Sequence, residues 1–546
     1  MSPTVGDAIL DQLADHGVRV CFGVPGVHNL AFWVGAGVGR RPRVVGVRHE
    51  QAAGYAADAA ARATGGLGVA LTTTGPGFAN ALAAFGEAWA SFSPVLLVSS
   101  ETPLALRRTS GDDDGLLHGM RSQADVVAYG FGARAVSARS AEEALAALPE
   151  LAAHALATGR PAYLGIPSDV LASGWTVPVP PPVAAPRLHP SGSAVAAAAD
   201  ALRGRRVAMW LGARAVPAED LVRRLAERLG ALVVPTYQAR GMLADYAGTV
   251  AAPPHEPVVA DAIAAADVLL VVGDDLHGMT TRNWRMPVPG SIVAVTDDAR
   301  ASLGDYDLTV RVDGDVALSV RALLDALGAP DEDGAPRPPV GDDLAAAVRD
   351  AVASDDRTAA AAAFLTTVES EWPDDGAIVA DMCIAGYWLG GYARQPRARR
   401  LQYPVGWGTL GYGLPAAIGP AALGIPTLAV VGDGGAAMGL GELATYVQDR
   451  LPLALLVVTD GGYGMLRYDQ TVAGDPHRGV DLVEPRWEHL ASAYGLTVER
   501  TADPGPGLSR ALGRARESVA RGECSLVVLE QAFHPPRTTS PRWREA

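Results

Sequence analysis

Two apolar runs, each ending on a carboxylate and separated by the length of one helix, constrain this chain more than any other feature. Residues 427–431 run into Gly432-Asp433-Gly434-Gly435, and residues 453–458 run into Thr459-Asp460. Short apolar runs bounded by turn residues read as strands of a parallel sheet covered on both faces. A helix starting near Leu440 fills the interval. Such sheets hold ligands beyond the carboxyl ends of their strands, so Asp433 and Asp460 arrive at one place. Gly434 and Gly435 let backbone amides approach a phosphate closely, and a helix N-terminus favours an anion. Two hard carboxylates, 27 residues apart, suit a magnesium ion shared with substrate phosphates. The same turn also fits an ordinary strand–turn–helix whose aspartate caps the helix.

Strands alternate with helices along the rest of the chain. Strands are expected at 18–23, 43–47, 68–71, 94–99 and 162–166, then at 207–211, 232–235, 268–273 and 292–296. A third set falls at 377–380, 427–431, 453–458 and 525–530. Helices are expected at 7–16, from Gln51, from Asn80 and over 344–368. The pattern is α/β, with three doubly wound parallel-sheet domains at 1–172, 191–327 and 342–546. Proline-rich 175–190 and Pro/Asp-rich 328–341 read as linkers. The net charge of −15 argues against a nucleic-acid partner and an anionic membrane surface. Residues 414–431 carry no charge, but Pro415, Pro420 and Pro426 divide them into helix, turn and strand rather than a membrane span. Cys21, Cys383 and Cys524 lack metal-ligand spacing. With no basic-then-apolar leader, they fit a reducing cytoplasm.

The glycine-aspartate turn is followed by Glu442-Leu443-Ala444-Thr445, Leu451-Pro452, an apolar strand and Gly461-Gly462-Tyr463-Gly464. This sequence resembles the diphosphate motif of the thiamin-diphosphate enzymes, in the branch of acetolactate synthase, benzoylformate decarboxylase and pyruvate oxidase. The resemblance extends over nearly the whole chain, because the three units follow that family's order of pyrimidine, central and diphosphate domains. It implies thiamin diphosphate and Mg²⁺ as cofactors, with Asp433, Asp460 and the Gly462 carbonyl as metal ligands beside Gly434 and Gly435. Asp460 stands where the family usually has asparagine, which adds a negative charge near a diphosphate. Residues 47–53 resemble the family's strand-to-helix junction with its catalytic glutamate, here Glu50, which bonds the aminopyrimidine N1′. Residues 406–415 resemble the segment that bends the cofactor. Leu410 matches the wedge between the two rings, the Gly408 carbonyl accepts from the 4′-amino group, and Thr409 lies between them. Met382 and Cys383 are further candidates for lining the diphosphate loop. In the family the first domain of one subunit faces the third domain of another, implying a homodimer or homotetramer with interfacial active sites.

The substrate side is expected in two loops. His28 and Asn29 follow the turn Gly23-Val24-Pro25-Gly26, and His118, Arg121 and Gln123 lie in a polar loop. Gln123 falls where acetolactate synthases carry an active-site glutamine. The loop and His28 also resemble the branch acting on 5-guanidino-2-oxopentanoate, and Asp112-Asp113-Asp114 offers either a lure for a cationic substrate or a solvated acidic turn. Gly212-Ala213-Arg214 and Gly273-Asp274-Asp275 leave room for FAD, although no full G-x-G-x-x-G fingerprint is present. The resemblance implies decarboxylation of a small-molecule 2-oxo acid through a C2 carbanion. Three alternatives stay open: an acetolactate-synthase-type carboligase, a catalytically silent cofactor-binding paralogue, and a nucleotide-binding dehydrogenase.

Overall fold

A computed structural model describes residues 3–106, 122–185, 187–297, 303–304, 306–328 and 341–536. Three parallel sheets follow one another along the chain. The first contains β1 (Val20–Gly23), β2 (Arg43–Gly46), β3 (Gly68–Thr72), β4 (Val95–Glu101), β5 (Ala135–Ser137) and β6 (Ala162–Pro167). Its order is β2-β1-β3-β4-β6-β5. The central sheet has β7 (Val207–Leu211), β8 (Leu232–Pro235), β9 (Val268–Val272), β10 (Ile292–Thr296) and β11 (Val310–Asp313), in the order β11-β10-β9-β7-β8. The third has β12 (Ala377–Ala380), β13 (Leu401–Gln402), β14 (Thr427–Gly432), β15 (Leu453–Thr459), β16 (Thr497–Thr501) and β17 (Ser525–Glu530), in the order β13-β12-β14-β15-β17-β16. Counted from each unit's first strand, the first and third sheets have the same order.

The inner strands β3, β4, β7, β9, β12 and β15 are buried along their whole length, as expected when helices cover both faces. Strands β5, β11, β13 and β16 were not expected from the sequence. Each lies at a sheet edge, and β5, β11 and β16 are only half-buried or alternate with polar residues, so their apolar signal is weak.

Three helical expectations need correction. The helix after β14 begins at Asp433 itself (Asp433–Gly439) and continues through a 3₁₀ turn at 440–442 into Leu443–Gln448. Glycines at a helix start leave its amides open rather than delaying it. The helix expected over 344–368 is two, Gly341–Ser354 and Ala359–Glu371. Asp355 breaks it, because its side chain accepts from Arg357 N at 2.9 Å while its carbonyl takes the N–H groups of Thr358 and Ala359. The helix expected from Asn80 is likewise a pair, Pro76–Asn80 and Leu82–Ala90.

The apolar cores fuse the units. One cluster joins Phe22, Tyr55 and Ala56 of the first unit to Tyr412, Leu414 and Val431 of the third. A second joins Trp210 and Val271 of the central unit to Trp388 and Leu456 of the third. Among the described residues no helix is long and apolar enough to cross a membrane.

Candidate active site

Strands β12 and β14 are neighbours, but the chain moves outward from them in opposite directions, so the gap beyond their ends is the switch point of the third sheet. There β12 delivers Asp381, Met382 and Cys383, and β14 delivers Gly432 and Asp433. A cavity of about 190 Å³ opens at this gap, and Met382, Cys383, Leu410, Asp433, Gly434, Gly435, Asp460 and Gly462 all line it.

Asp433 is nearly fully buried and ties two strand ends together. Its Oδ1 accepts from Gly434 N at 2.9 Å and its Oδ2 from Gly461 N at 2.8 Å. Burial raises its pKa despite these bonds. Asp460 is pushed up to about 6, first by burial and then by the charge of Asp433, against the pull of Arg467. Its Oδ1 is buried without a hydrogen-bond partner among the described residues. A Cβ at Gly434 would meet the Tyr463 ring at 2.6 Å, and one at Gly432 would meet Cys383 Cβ at 3.1 Å. The cavity therefore joins an orphaned carboxylate oxygen, a second carboxylate and a helix start kept bare of side chains. Its donors are hard oxygens and backbone amides. That set fits a magnesium ion and a diphosphate.

The loop carrying Gly408, Thr409 and Leu410 is held by a residue the sequence reading passed over. Asp381 is fully buried, and its carboxylate accepts from Met382 N at 2.7 Å, Gly411 N at 3.0 Å and Gly413 N at 2.9 Å. Burial still pushes its pKa up to about 6. It follows β12 as Asp433 follows β14, an aspartate directly after an apolar strand, and that position was the available signal. Gly408 has φ +75° and Gly411 +79°, conformations that favour glycine. Thr409 is buried, with its hydroxyl beside that of Tyr55.

The first unit supplies a different set of groups. Glu50 is the first residue of the Glu50–Thr64 helix, with His49 as its N-cap. Its Oε2 accepts from Asn80 Nδ2 at 2.9 Å, and a Cβ at Gly77 would stand 3.1 Å from Oε1. Gln123 is buried with its amide engaged inside the unit. Its Oε1 accepts from Gly75 N and its Nε2 donates to the Tyr163 hydroxyl, both at 2.8 Å. It buttresses the turn after β3. Asn29 is also buried, accepting from Gly26 N at 2.8 Å and donating to the Val24 carbonyl at 3.0 Å. It closes the turn after β1. His28 is half-buried, with Nδ1 3.3 Å from Ser168 Oγ. His118, Arg121 and Asp112–Asp114 lie outside the described residues. None of Glu50, His28, Asn29 and Gln123 lines the cavity of the third unit.

A second residue without an assigned role, Glu442, links the two sets. Its buried Oε1 accepts the backbone N–H groups of Arg48 at 2.9 Å and His49 at 3.2 Å, and its Oε2 accepts from Thr445 Oγ1 at 2.6 Å. Deeper in the same junction, Arg62 Nη2 pairs with Asp58 at 2.7 Å and Glu87 at 3.0 Å, and the Tyr412 hydroxyl donates to Asp58 at 2.8 Å.

The central unit has its own switch point, between β7 and β9. It is tight. A Cβ at Gly212 would meet the Gly273 carbonyl at 2.3 Å and Asp274 Oδ2 at 2.5 Å. Asp274 accepts from Trp210 Nε1, Thr236 Oγ1 and Leu276 N, and burial together with Asp275 pushes its pKa up to about 7. Arg214 is paired with Asp297.

The sequence matches known proteins unit by unit. Residues 3–128 match the thiamine pyrophosphate enzyme N-terminal TPP binding domain, residues 195–323 its central domain, and residues 381–529 its C-terminal TPP binding domain. A Pseudomonas aeruginosa protein named probable 2-ketoarginine decarboxylase AruI is 34% identical over 527 residues, covering 92% of this chain and 90% of that protein. The acetolactate synthase of Mycobacterium avium is 28% identical, covering 92% of this chain and 84% of the relative. An alpha-keto-acid decarboxylase of Mycobacterium tuberculosis is also 28% identical, with 90% and 88% covered. Three matched domains in order, on three sheets of the expected kind, establish that the chain belongs to the thiamine pyrophosphate enzymes and is an enzyme of their decarboxylase or carboligase type.

Proposed function

We propose that this protein is a thiamin-diphosphate- and Mg²⁺-dependent decarboxylase of a 2-oxo acid that releases carbon dioxide and an aldehyde. The observation that carries the reading is the cavity beyond β12, β14 and β15, lined by two carboxylates, a bare helix start and Leu410. Asp433, Asp460 and the Gly462 carbonyl would hold the metal, and Gly434 and Gly435 would present amides to the diphosphate. Leu410 would set the bend of the cofactor, and the Gly408 carbonyl would accept its amino group. Glu50, oriented by Asn80, would hold and pass the proton at the aminopyrimidine. When bound, thiamin diphosphate supplies a carbanion at C2 and an electron sink for the charge left as carbon dioxide departs.

Sequence similarity favours decarboxylation. The relative named as a 2-ketoarginine decarboxylase is 34% identical, against 28% for the acetolactate synthase. A 2-oxo acid with a cationic tail, such as 5-guanidino-2-oxopentanoate, is therefore the substrate class to test. Glu50 and Asp433 argue against a silent paralogue. The small pocket beyond β7 and β9 is lined by Asp274 and Asp275, whose carboxylates would repel a phosphate, which gives a flavin or nicotinamide little support.

The domains assigned are 1–172 for the pyrimidine, 191–327 for the central unit and 342–546 for the diphosphate. We assign a homodimer or homotetramer with interfacial sites. Glu50 does not line its own chain's cavity, and exposed Val27, Leu30 and Val34 beside one half-site and Met438 beside the other offer apolar surface for a second copy. Three unpaired cysteines support a cytoplasmic location.

The test is a panel of 2-oxo acids, including pyruvate and 5-guanidino-2-oxopentanoate, with and without cofactor and magnesium, read by mass spectrometry. Cofactor-dependent aldehyde supports the proposal. Acetolactate from pyruvate as the main product overturns it in favour of the carboligase.

A further inference from the structure

Arg467 stands on the Gly464–Ala473 helix, and its guanidinium wraps the loop that carries Asp460. Nη1 donates to the Asp460 carbonyl at 3.0 Å and Nη2 to the Gly461 carbonyl at 3.1 Å. Nε donates to Asp481 Oδ1 at 3.0 Å, and Nη2 lies 2.9 Å from the same oxygen. Nη1 also lies 3.7 Å from Asp460 Oδ1, within ion-pair range but without a hydrogen bond. The loop is shaped around this cation, since a Cβ at Gly462 would meet Arg467 Nη2 at 2.6 Å and the Val480 carbonyl at 2.0 Å.

Charge gives the arrangement its meaning. Asp433 and Asp460 line one cavity, and each repels both the other and any anion placed between them. Asp481 is 65% exposed and its charge is largely screened by water, whereas Asp460 is 16% exposed. The guanidinium is thus hydrogen-bonded to Asp481, and its charge also reaches the less screened Asp460.

We propose that Arg467 is a positioning residue whose charge lets a second carboxylate, Asp460, stand beside an anionic diphosphate, while its fork fixes the loop presenting Asp460 and Gly462. The proposal rests on the cofactor site assigned above. It assigns Arg467 unequal effects on the two ligands. Loss of the cation weakens binding of the diphosphate anion more than binding of magnesium alone, for which the lost hold on the loop is offset by the removal of a like charge.

The experiment is calorimetric titration of the full-length apoprotein with thiamin diphosphate at saturating magnesium, and separately with magnesium alone. Arg467→Met is expected to lower cofactor affinity by about tenfold or more and to change magnesium affinity by about threefold or less. Arg467→Lys, which keeps the charge and loses the fork, is expected to fall between, and it serves as the test if the Met variant fails to fold by circular dichroism. In an Asp460→Asn background the loss on removing Arg467 is expected to shrink to about threefold or less, because the repelling charge is gone. Unchanged cofactor affinity in Arg467→Met overturns the proposal. So does an equal loss in both backgrounds, which would make Arg467 only a loop anchor. If the wild-type protein binds no thiamin diphosphate, the cofactor reading itself fails.

Discussion

The Glu442 carboxylate of the third unit accepts the backbone N–H of His49, the cap of the helix on which Glu50 is the first residue. The same oxygen takes the N–H of Arg48, so one buried carboxylate fixes the strand-to-helix turn that aims Glu50. Glu442→Ala would leave two amides without their acceptor, at a cost of about 1–3 kcal/mol each. A fall in kcat of about 10–100-fold with a smaller change in KM is expected, because the turn and not the substrate pocket is disturbed. Glu442→Gln keeps an acceptor oxygen and should restore most of the rate. Steady-state kinetics of the two variants check this.

Glu50→Gln removes the carboxylate without removing its bulk. Turnover is expected to fall by about 10²–10⁴-fold, the range of a lost acid–base residue, with cofactor binding retained. Calorimetry and a carbon dioxide release assay on the same sample separate the two effects. Unchanged turnover would remove Glu50 from its assigned role.

Asp381 is worth more to the fold than its lack of an assigned role suggested. Asp381→Ala strips the acceptor from the amides of Met382, Gly411 and Gly413, which are bonded at 2.7, 3.0 and 2.9 Å. The expected loss is about 3 kcal/mol or more, together with a loosened 408–413 loop. Thermal unfolding of the apoprotein measures the first, and hydrogen exchange across the loop the second.

Acid should stabilise the protein when cofactor is absent. Burial pushes Asp381 up to about 6, and burial with the nearby Asp433 charge does the same for Asp460, while the unfolded chain keeps both near 3.8. Between these values the native state holds more protons than the unfolded state, so stability rises as pH falls from about 6 towards 4 and is lost again as pH rises through 6. A gain of about 2–4 °C in Tm is expected. Magnesium and thiamin diphosphate should show the opposite trend, losing affinity below about pH 6 as Asp460, a proposed ligand, protonates. Asp460→Asn should flatten both curves. A Tm that falls steadily from about pH 6 to 4.5 would contradict the account.

Arg62→Met would leave Asp58 and Glu87 facing each other, both fully buried. A loss of about 3–5 kcal/mol is expected, as when one partner of a buried ion pair is removed. The check is the unfolding midpoint in denaturant at neutral pH, compared with wild type. A variant within about 0.5 kcal/mol of wild type would show the cluster to be neutral.

Most of the framework was legible because strands buried on both faces write themselves as apolar runs. Strands β7, β8, β10, β12 and β17 occupy the residues expected of them. Edge strands did not declare themselves, since Thr-Val-Glu-Arg-Thr of β16 alternates with solvent-facing residues. On the site side, the glycine turn and its two aspartates could be placed in one cavity because each ends a strong strand. Asp381 also ends a strand, but its work is to accept amides 30 and 32 residues away, which no local pattern reveals. Glu442 was visible only as part of a motif, because its partners lie 393 and 394 residues earlier. Asn29 was expected near substrate from its place after a turn, and Gln123 from the resemblance to the acetolactate synthases. The structure gives their amides to the turns themselves, the common fate of a buried amide side chain beside irregular backbone.

The shared apolar core between the first and third units bears on how molecules reach the cavity. Hinging those two units apart would expose Tyr55, Tyr412 and Leu414 to water and strand the Asp58–Arg62–Glu87 charges, so the gap between them is a poor doorway. The Gly464–Ala473 helix, by contrast, contributes Met465 and Leu466 to the cavity wall yet has no buried residue of its own. Traffic in and out is therefore expected to pass by small excursions of this one thin panel, with the rest of the molecule standing still.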